Sequence, residues 1–281
     1  MSVSKAAVRA TDVVLGYGST VAVDRSSFTF PRGCVTAVIG PNGSGKSTLL
    51  NALAGLLEPL AGSVDVAIDE GKRNRIAYVL QTTKVNEALP ISVREVVTMG
   101  RYGEVGTYRW LRQRDRDAVA NAMERTDITH LASRHLHHLS GGQRQRVFVA
   151  QGLAQPHDIL LLDEPLTGID LPTAQAIDSI IHEERAGGTT VIMTTHDLSE
   201  AQVADHVLLL SGRVVASGTP EQVLTAEHLS TAYGPALLHL DKDRFFLDDP
   251  AHQPVGGRHI HRERTIHTES APSERHPGSG N

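Results

Sequence analysis

The sequence is poor in cysteine and has no long apolar run, and each shortage excludes a class of protein. Cys34 is the only cysteine among 281 residues, so we expect no internal disulfide, no zinc finger and a reducing compartment. No run of 18 or more apolar residues occurs, and residues 1–11 lack a signal-peptide pattern, so no membrane span or leader is predicted. The net charge of −5 argues against a protein that coats nucleic acid.

Apolar runs that alternate with helical patterns predict an α/β fold. Strand-like runs without polar alternation indicate strands buried on both faces of a mainly parallel sheet, at residues 34–39, 159–162 and 189–194. A helix is predicted over residues 46–57, stopped near Pro59, and a hairpin over 207–216. Three shorter runs predict an antiparallel flap beside the sheet, at residues 13–15, 21–23 and 28–30.

The middle and the end of the chain differ from the rest in composition. Strand signals disappear after Gln81, which predicts a helical insertion subdomain at about 82–155 with helices over 92–99 and 115–125. Residues 251–281 carry Pro, Gly and His with hardly any large apolar residue, so they are predicted to form a disordered, His-rich tail. One folded domain over residues 1–250 is expected.

A glycine-rich loop follows the predicted strand 34–39 and precedes a predicted helix. It matches the phosphate-binding pattern G-x4-G-K-[ST], in which glycines let backbone N–H groups point at phosphate oxygens. Lys46 supplies a charge for the terminal phosphates, and the hydroxyl of Ser47 can bind Mg²⁺. The nucleotide-binding residues predicted here are Gly40, Pro41, Asn42, Gly43, Ser44, Gly45, Lys46, Ser47 and Thr48.

Two carboxylates, Asp163 and Glu164, follow the apolar run 159–162. Ligands of parallel sheets bind at the carboxyl ends of the strands, so both acids should face the nucleotide. Asp163 is suited to bind Mg²⁺, and Glu164 to orient the attacking water or accept its proton. Taken alone, the run fits solvated acids equally well; beside a phosphate loop, the catalytic interpretation is favoured.

A further motif, Leu-Ser-Gly-Gly-Gln at residues 139–143, begins a predicted helix with Ser140 as its N-cap. Its two glycines leave a second helix N-terminus open to an anion. Two such ends in one chain make sense if the second serves the nucleotide of another subunit. Here the sequence resembles the ATP-binding subunits of ABC transporters, most closely those of zinc and manganese uptake systems, over residues 8–224.

The resemblance implies roles for residues outside the phosphate loop. Tyr17 matches the aromatic residue that stacks on adenine, and Gln81 matches the glutamine that contacts Mg²⁺ and the membrane partner. His196 matches the histidine at the γ-phosphate. The implied catalytic set is therefore Glu164, His196, Gln81 and Lys46, and the implied Mg²⁺ ligands are Ser47, Gln81 and Asp163. The nucleotide contacts implied in trans are Ser140, Gly141, Gly142, Gln143 and Asp170.

The same resemblance implies a P-loop ATPase whose cofactors are ATP and Mg²⁺. It implies a head-to-tail homodimer on the cytoplasmic face of the cell membrane, bound peripherally to an integral permease and only indirectly to a substrate-binding protein. No nucleic-acid partner is expected. Two segments of the insertion, residues 100–103 and 110–117, resemble those of ATPases that serve zinc and manganese uptake, and also of those that serve iron chelates. The implied function is ATP-driven import of a divalent metal ion, zinc first and manganese next.

Other interpretations stay open. The ATPase could serve an iron chelate or another ABC transport system, including an exporter. A family member acting on ribosomes or DNA would usually carry two cassettes or a long coiled coil, and a non-catalytic binding module is disfavoured by Glu164 and His196. Histidines 135, 137 and 138 and those of the tail could bind a metal, but their spacing lacks a regular ligand pattern. A weak site or none is therefore expected there.

Overall fold

The computed structural model describes residues 6–66, 75–81, 90–105, 110–234, 237–241 and 244–247. The strands are β1 Ala6–Tyr17, β2 Thr20–Pro31, β3 Val35–Ile39, β4 Ala61–Val66, β5 Ile76–Val79, β6 Ile159–Leu162, β7 Thr190–Thr195, β8 His206–Leu210, β9 Val214–Gly218, β10 Leu237–Asp241 and β11 Arg244–Leu247. The helices are α1 Lys46–Leu53, α2 Val93–Met99, α3 Tyr102–Val105, α4 Gln113–Arg125, α5 Gly141–Leu153, α6 Leu171–Ala186, α7 Leu198–Gln202, α8 Pro220–Val223 and α9 Ala226–Tyr233, with 3₁₀ turns at Thr129–Leu131 and Leu136–His138.

The central sheet has the strand order β5-β6-β7-β3-β8-β9. Its first five strands are parallel, and β9 pairs antiparallel with β8. A separate antiparallel sheet has the order β2-β1-β4, and β10 pairs with β11 as a hairpin. The predicted α/β class, with a mainly parallel sheet and an antiparallel flap, is confirmed.

Alternate side chains of the central strands enter two different apolar clusters. Val35, Ala37 and Ile39 of β3 pack with Ile177 and other residues of α6, on one face of the sheet. Val38 packs on the opposite face, against α1 and the antiparallel sheet. Because both faces are covered, these strands carry apolar residues without alternation, which is why their sequence pattern is continuous.

The helices α2, α4 and α5 share a third apolar cluster, which includes Val97, Val119 and Val147. The predicted helix 92–99 is observed with Ser92 as its N-cap, where the side chain accepts a hydrogen bond from the N–H of Glu95. The predicted helix 115–125 begins earlier, at Gln113. There the backbone N–H of Arg112 donates to the carboxylate of Asp115.

A partly buried ionic group, with Glu184 at its centre, joins α4 to α6. The guanidinium of Arg125 contacts Glu184 at 2.7 Å and Glu183 at 3.1 Å. Glu184 also accepts hydrogen bonds from His157 at 2.9 Å and Thr189 at 3.0 Å. Burial opposes ionisation of Glu184, but the hydrogen bonds from His157 and Arg125 outweigh it and lower the pKa of this carboxyl to about 2.

Two predicted boundaries were wrong. The helix α1 ends at Leu53 and not at residue 57, because Gly55 adopts a positive φ of 72° and closes the helix. The N–H groups of Gly55 and Leu56 donate to the carbonyls of Ala52 and Asn51, the two bonds of a Schellman motif.

The flap has two strands of 12 residues and a third strand, β4, in place of three short runs. The sequence pattern appeared broken because bulges interrupt the register of β1 and β2, for example between Ala10 and Val13, while the pairing continues past them.

Some predictions fall on residues outside the description. They include the predicted disorder of residues 251–281 and the part of the predicted insertion over 82–89. Among the described residues, no helix combines the length and the apolar character needed to cross a membrane.

Candidate active site

The phosphate loop curls tightly between β3 and α1. Gly43 and Gly45 have φ values of 78° and 101°, in the left-handed region that favours glycine. A Cβ on Gly45 would lie 2.5 Å from a methyl group of Val23, so a side chain there would also clash. The ammonium of Lys46 donates to the carbonyls of Gly40 at 2.8 Å and Pro41 at 3.2 Å, which holds it against the loop.

The start of α1 leaves donors for an anion. Its N-cap is Gly45, and among the described residues no side chain caps this helix start. The first N–H groups of a helix lack partners within the helix, so these are available to phosphate oxygens. Ser47 is exposed at the first turn. The hydroxyl of Ser44 is buried and has no hydrogen-bond partner among the described residues, so the loop contains a polar atom that a ligand could satisfy.

Thr194 links the two carboxylates at the end of β6. Its hydroxyl donates to Asp163 at 2.6 Å and accepts from the backbone N–H of Glu164 at 2.8 Å. Asp163 is buried, whereas Glu164 is partly exposed. Glu164 has a φ of 48°, a strained conformation for a non-glycine residue and one that is concentrated at functional sites.

Side chains from the two strands beside β6 reach the Glu164 carboxylate. The amide of Gln81, after β5, donates to Glu164 at 3.0 Å. The Nδ1 atom of His196, after β7, lies 4.0 Å from the same oxygen. Because β5, β6, β7 and β3 are parallel neighbours, their carboxyl ends bring Gln81, Glu164, His196 and the phosphate loop to one edge of the sheet.

Tyr17, at the end of β1, is 55% exposed. Its hydroxyl accepts a hydrogen bond of 2.9 Å from the side-chain amide of Asn51, one and a half turns into α1. This bond fixes the ring beside the helix that follows the phosphate loop. The aromatic face is therefore accessible for stacking by a planar base.

The predicted signature residues begin α5. Ser140 and Gln143 form a reciprocal capping box: Ser140 N–H donates to the Gln143 side chain at 3.1 Å, and Gln143 N–H donates to the Ser140 hydroxyl at 3.3 Å. The capping box does not use the backbone N–H groups of Gly141 and Gly142, the first two residues of the helix, so these can donate to an anion. A Cβ on Gly142 would lie 3.0 Å from oxygens of Asp170 and Thr173, so the signature glycine packs on the start of α6 in its own chain.

The oxygen donors at the sheet edge fit Mg²⁺. A hydroxyl from Ser47, a carboxylate from Asp163 and an amide oxygen from Gln81 are all hard ligands of the kind that Mg²⁺ prefers. The bond from Thr194 orients Asp163 without consuming all of its acceptor capacity.

Sequence reasoning missed two residues of this site. Thr194 and Asn51 act through hydrogen bonds to residues 30 and 34 positions away, which no local pattern reports. The one available signal for Thr194 was its position at the end of a buried strand, directly before the Thr195-His196 pair.

A phosphate loop, two carboxylates and a polar glutamine at the ends of adjacent parallel strands define a nucleoside-triphosphate-binding site. Comparison with known proteins narrows the class. The sequence profile of the ABC transporter family matches residues 23–167. This chain belongs to that family, and it is a nucleotide-binding ATPase of the ABC type.

Three curated relatives are similar over most of their length. The chain is 39% identical to the chelated iron transport system membrane protein YfeB of Yersinia pestis, over 84% of this chain and 81% of that protein. It is 37% identical to the manganese transport system ATP-binding protein MntA of Synechocystis, over 76% and 84% of the two chains. It is 38% identical to the zinc transport system ATP-binding protein TroB of Treponema pallidum, over 83% and 89%.

A solved structure agrees with the fold. CbiO1 of Clostridium perfringens, part of the ABC transporter complex cbiONQ, superimposes with a TM-score of 0.65 and 30% identity, over 80% of this chain and 93% of that chain.

Proposed function

We propose that this chain is the ATP-hydrolysing subunit of an importer for a divalent metal ion, zinc first and manganese next, and that it acts on a separate membrane permease. The proposal is supported by relatives named for zinc, manganese and chelated iron transport. Iron-chelate import is the second candidate, because the relative named for chelated iron is as similar as the other two.

The observation that carries the catalytic part is the convergence of Gln81 and His196 on one carboxylate oxygen of Glu164, at the sheet edge that also carries the phosphate loop. In this proposal the loop N–H groups and the Lys46 ammonium bind the β- and γ-phosphates. Glu164 orients the attacking water and accepts its proton, and Gln81 fixes the position of the Glu164 carboxylate. His196, which follows the neighbouring strand β7, contacts the γ-phosphate.

Ser47, Asp163 and Gln81 would hold Mg²⁺, which neutralises charge on the phosphates when it is bound. Tyr17 would stack on adenine, with its ring oriented by Asn51. In these assignments, the oxygen atoms at the sheet edge bind the metal ion, and the aromatic ring of Tyr17 binds the base.

We place the second half of the nucleotide site on a second copy of the chain. The capping box at Ser140 leaves the N–H groups of Gly141 and Gly142 for an anion, and Asp170 lies beside Gly142. In a head-to-tail homodimer, these groups of one subunit complete the site of the other. Specific ATPase activity is then expected to fall on dilution below the dimerisation range, measured as turnover per subunit against concentration. Activity that is independent of concentration far below this range would contradict the trans arrangement.

The permease would dock on the helical part of the chain. Trp110 is 93% exposed there, and two further exposed residues with large apolar side chains, Met99 at the end of α2 and Tyr102 at the start of α3, precede it. Such surface residues are typical of a protein contact. The partner would remain at the membrane through its own spans, with this chain bound peripherally on the cytoplasmic face and with a substrate-binding protein delivering cargo to the permease.

The Glu164→Gln variant tests the catalytic assignment. Turnover should fall by about 10²- to 10⁴-fold, the usual contribution of a general base, while ATP binding is retained. Size-exclusion chromatography with ATP should show a persistent dimer. The exposed Glu124, on α4, provides a matched control, and Glu124→Gln should hydrolyse ATP at the normal rate. Unchanged turnover of Glu164→Gln would remove this residue from the mechanism.

Uptake in cells tests the cargo. Cells in which Glu164→Gln replaces the normal chain should lose accumulation of radioactive zinc, and the Glu124→Gln cells should keep it. Loss of manganese or of iron-chelate uptake, with zinc uptake intact, would overturn zinc as the first cargo and select the corresponding alternative.

A further inference from the structure

Three imidazole rings lie together immediately before the signature helix. His135 precedes the 3₁₀ turn Leu136–His138, and His137 and His138 belong to it. One ring nitrogen from each of the three lies within 4.8 Å of the other two. The irregular spacing in the sequence suggested a weak site or none, but the tight turn brings all three rings to one side.

The geometry of the rings suits a shared ligand more than a packed core. The ring centroids of His137 and His138 are 4.0 Å apart, and those of His135 and His138 are 5.9 Å apart with nearly parallel planes. The Nδ1 atom of His137 is buried and has no hydrogen-bond partner among the described residues. A buried ring nitrogen without a partner is unfavourable, and a metal ion would satisfy it.

The charged groups around the three rings are of both signs, with Arg134 donating to the His138 carbonyl on one side and Glu95 near His135 on the other. Neutral imidazole is the form that binds metals. Glu95 lies close enough to His135 to interact electrostatically, so it supplies negative charge that partly balances Arg134.

We propose that His135, His137 and His138 form a binding site for a divalent transition-metal ion of the zinc class. Three imidazoles with a water in the fourth position make a tetrahedral set that Zn²⁺ accepts. This site is separate from the Mg²⁺ ligands at the sheet edge and from the route of the cargo through a permease.

The surrounding backbone connects the site to the signature helix. The guanidinium of Arg144, in the first turn of α5, donates to the carbonyls of Leu139 at 3.0 Å and His137 at 3.3 Å. On the other side, His135 forms a β-bridge with Ser92, the N-cap of α2. An ion held by the three histidines therefore ties the starts of α2 and α5 to one fixed point.

The test is zinc titration of the full-length chain in which the tail histidines 252, 259, 261, 267 and 276 are replaced by Gln. Isothermal titration should show one Zn²⁺ site per chain, and Co²⁺ should give the intense visible bands of a tetrahedral complex. The His137→Gln variant should weaken binding by at least about 10-fold, and the triple variant of all three should abolish the site.

Two variants separate loss of the site from loss of the fold. His138 is exposed, so His138→Gln should bind ATP normally while it weakens Zn²⁺ binding. His130 is an exposed histidine on the preceding 3₁₀ turn, and His130→Gln should leave Zn²⁺ binding unchanged. Equal Zn²⁺ affinity and stoichiometry in the parent and in a folded triple variant would overturn the proposal.

Discussion

The two helix starts that carry the nucleotide motifs differ in construction. At α1 the N-cap is a glycine in a left-handed conformation, and the loop before it folds around the Lys46 ammonium. At α5 the N-cap is Ser140, which exchanges hydrogen bonds with Gln143. The start of α1 has no side-chain cap and leaves its N–H groups for a ligand, whereas the start of α5 is already stabilised by a side-chain cap. In the proposed dimer, α1 would therefore provide most of the nucleotide binding, and α5 a contact that forms and breaks with the dimer.

The attachment of the two starts also differs. The α1 start follows directly from β3 in the centre of the sheet. The α5 start follows the 3₁₀ turn Leu136–His138, and further along α5 Val149 shares an apolar cluster with Val79 of β5 and Leu160 of β6. The Arg125–Glu184 ion pair also joins the helices to α6. Movement of α5 relative to the sheet would therefore disturb this apolar packing as well as the Arg125–Glu184 ion pair.

The largest expected effect is on ATP binding at the start of α1. Lys46→Ala should weaken ATP binding by about 100-fold, because a charge-assisted bond to phosphate contributes up to about 3 kcal/mol. Ser140→Ala should leave ATP binding to the dilute subunit unchanged. Equilibrium binding of a fluorescent ATP analogue measures both. Equal losses in the two variants would mean that both helix starts bind the same nucleotide in one chain.

A second effect concerns the joint between the helical part and the sheet. Glu184→Gln should lower the free energy of unfolding at pH 7 by about 2 kcal/mol, because a buried ion group loses its charge. The folded-state pKa of Glu184 is about 2, below its ordinary value, so its stabilisation is present above that ordinary value and disappears as the pH falls toward 2.

Denaturant unfolding of both proteins between pH 7 and pH 3 checks this. The difference between wild type and variant should shrink to roughly half by pH 3. As a control, Glu183 is exposed and contacts the same arginine, so Glu183→Gln should cost well under 1 kcal/mol. A difference that does not change with pH would show that Glu184 acts by packing alone.

The smallest effect compares two capping boxes of the same construction. Ser140→Ala and Ser92→Ala each remove an N-cap that is bonded to the third helical residue, and each should cost about 1 kcal/mol of stability. Only Ser140→Ala should also reduce ATP turnover, because in the proposed dimer α5 starts at the nucleotide site of the partner. Thermal unfolding and turnover, measured together, distinguish the two. A comparable loss of turnover in Ser92→Ala would show that the loss in Ser140→Ala results from lower stability and not from a missing nucleotide contact.

Local patterns predicted the parts of this fold that depend on neighbouring residues. The strand 159–162 was predicted with its observed bounds, because four apolar residues stand between Asp158 and Asp163. The phosphate loop and the N-cap at Ser140 were also predictable, because each is formed by residues that lie next to one another in the sequence.

Features that depend on distant partners were not predictable in this way. Strand β4 joins the flap through pairing with β1, and Thr194 orients Asp163 across the gap between two strands. The histidine cluster depends on a turn whose rings meet only in three dimensions. In each case the decisive contact joins residues whose local sequence is compatible with several structures.

The internal hydrogen bonds of Lys46 have a consequence for the catalytic cycle. A lysine side chain normally loses about 2 kcal/mol of conformational freedom when it is immobilised. Here that loss occurs when the chain folds, since the carbonyls of Gly40 and Pro41 already restrain the ammonium. In the proposed mechanism, ATP binding would then require little further ordering of this side chain. Between turnovers the same two carbonyls would restrain the Lys46 side chain, so it would not have to find its rotamer again.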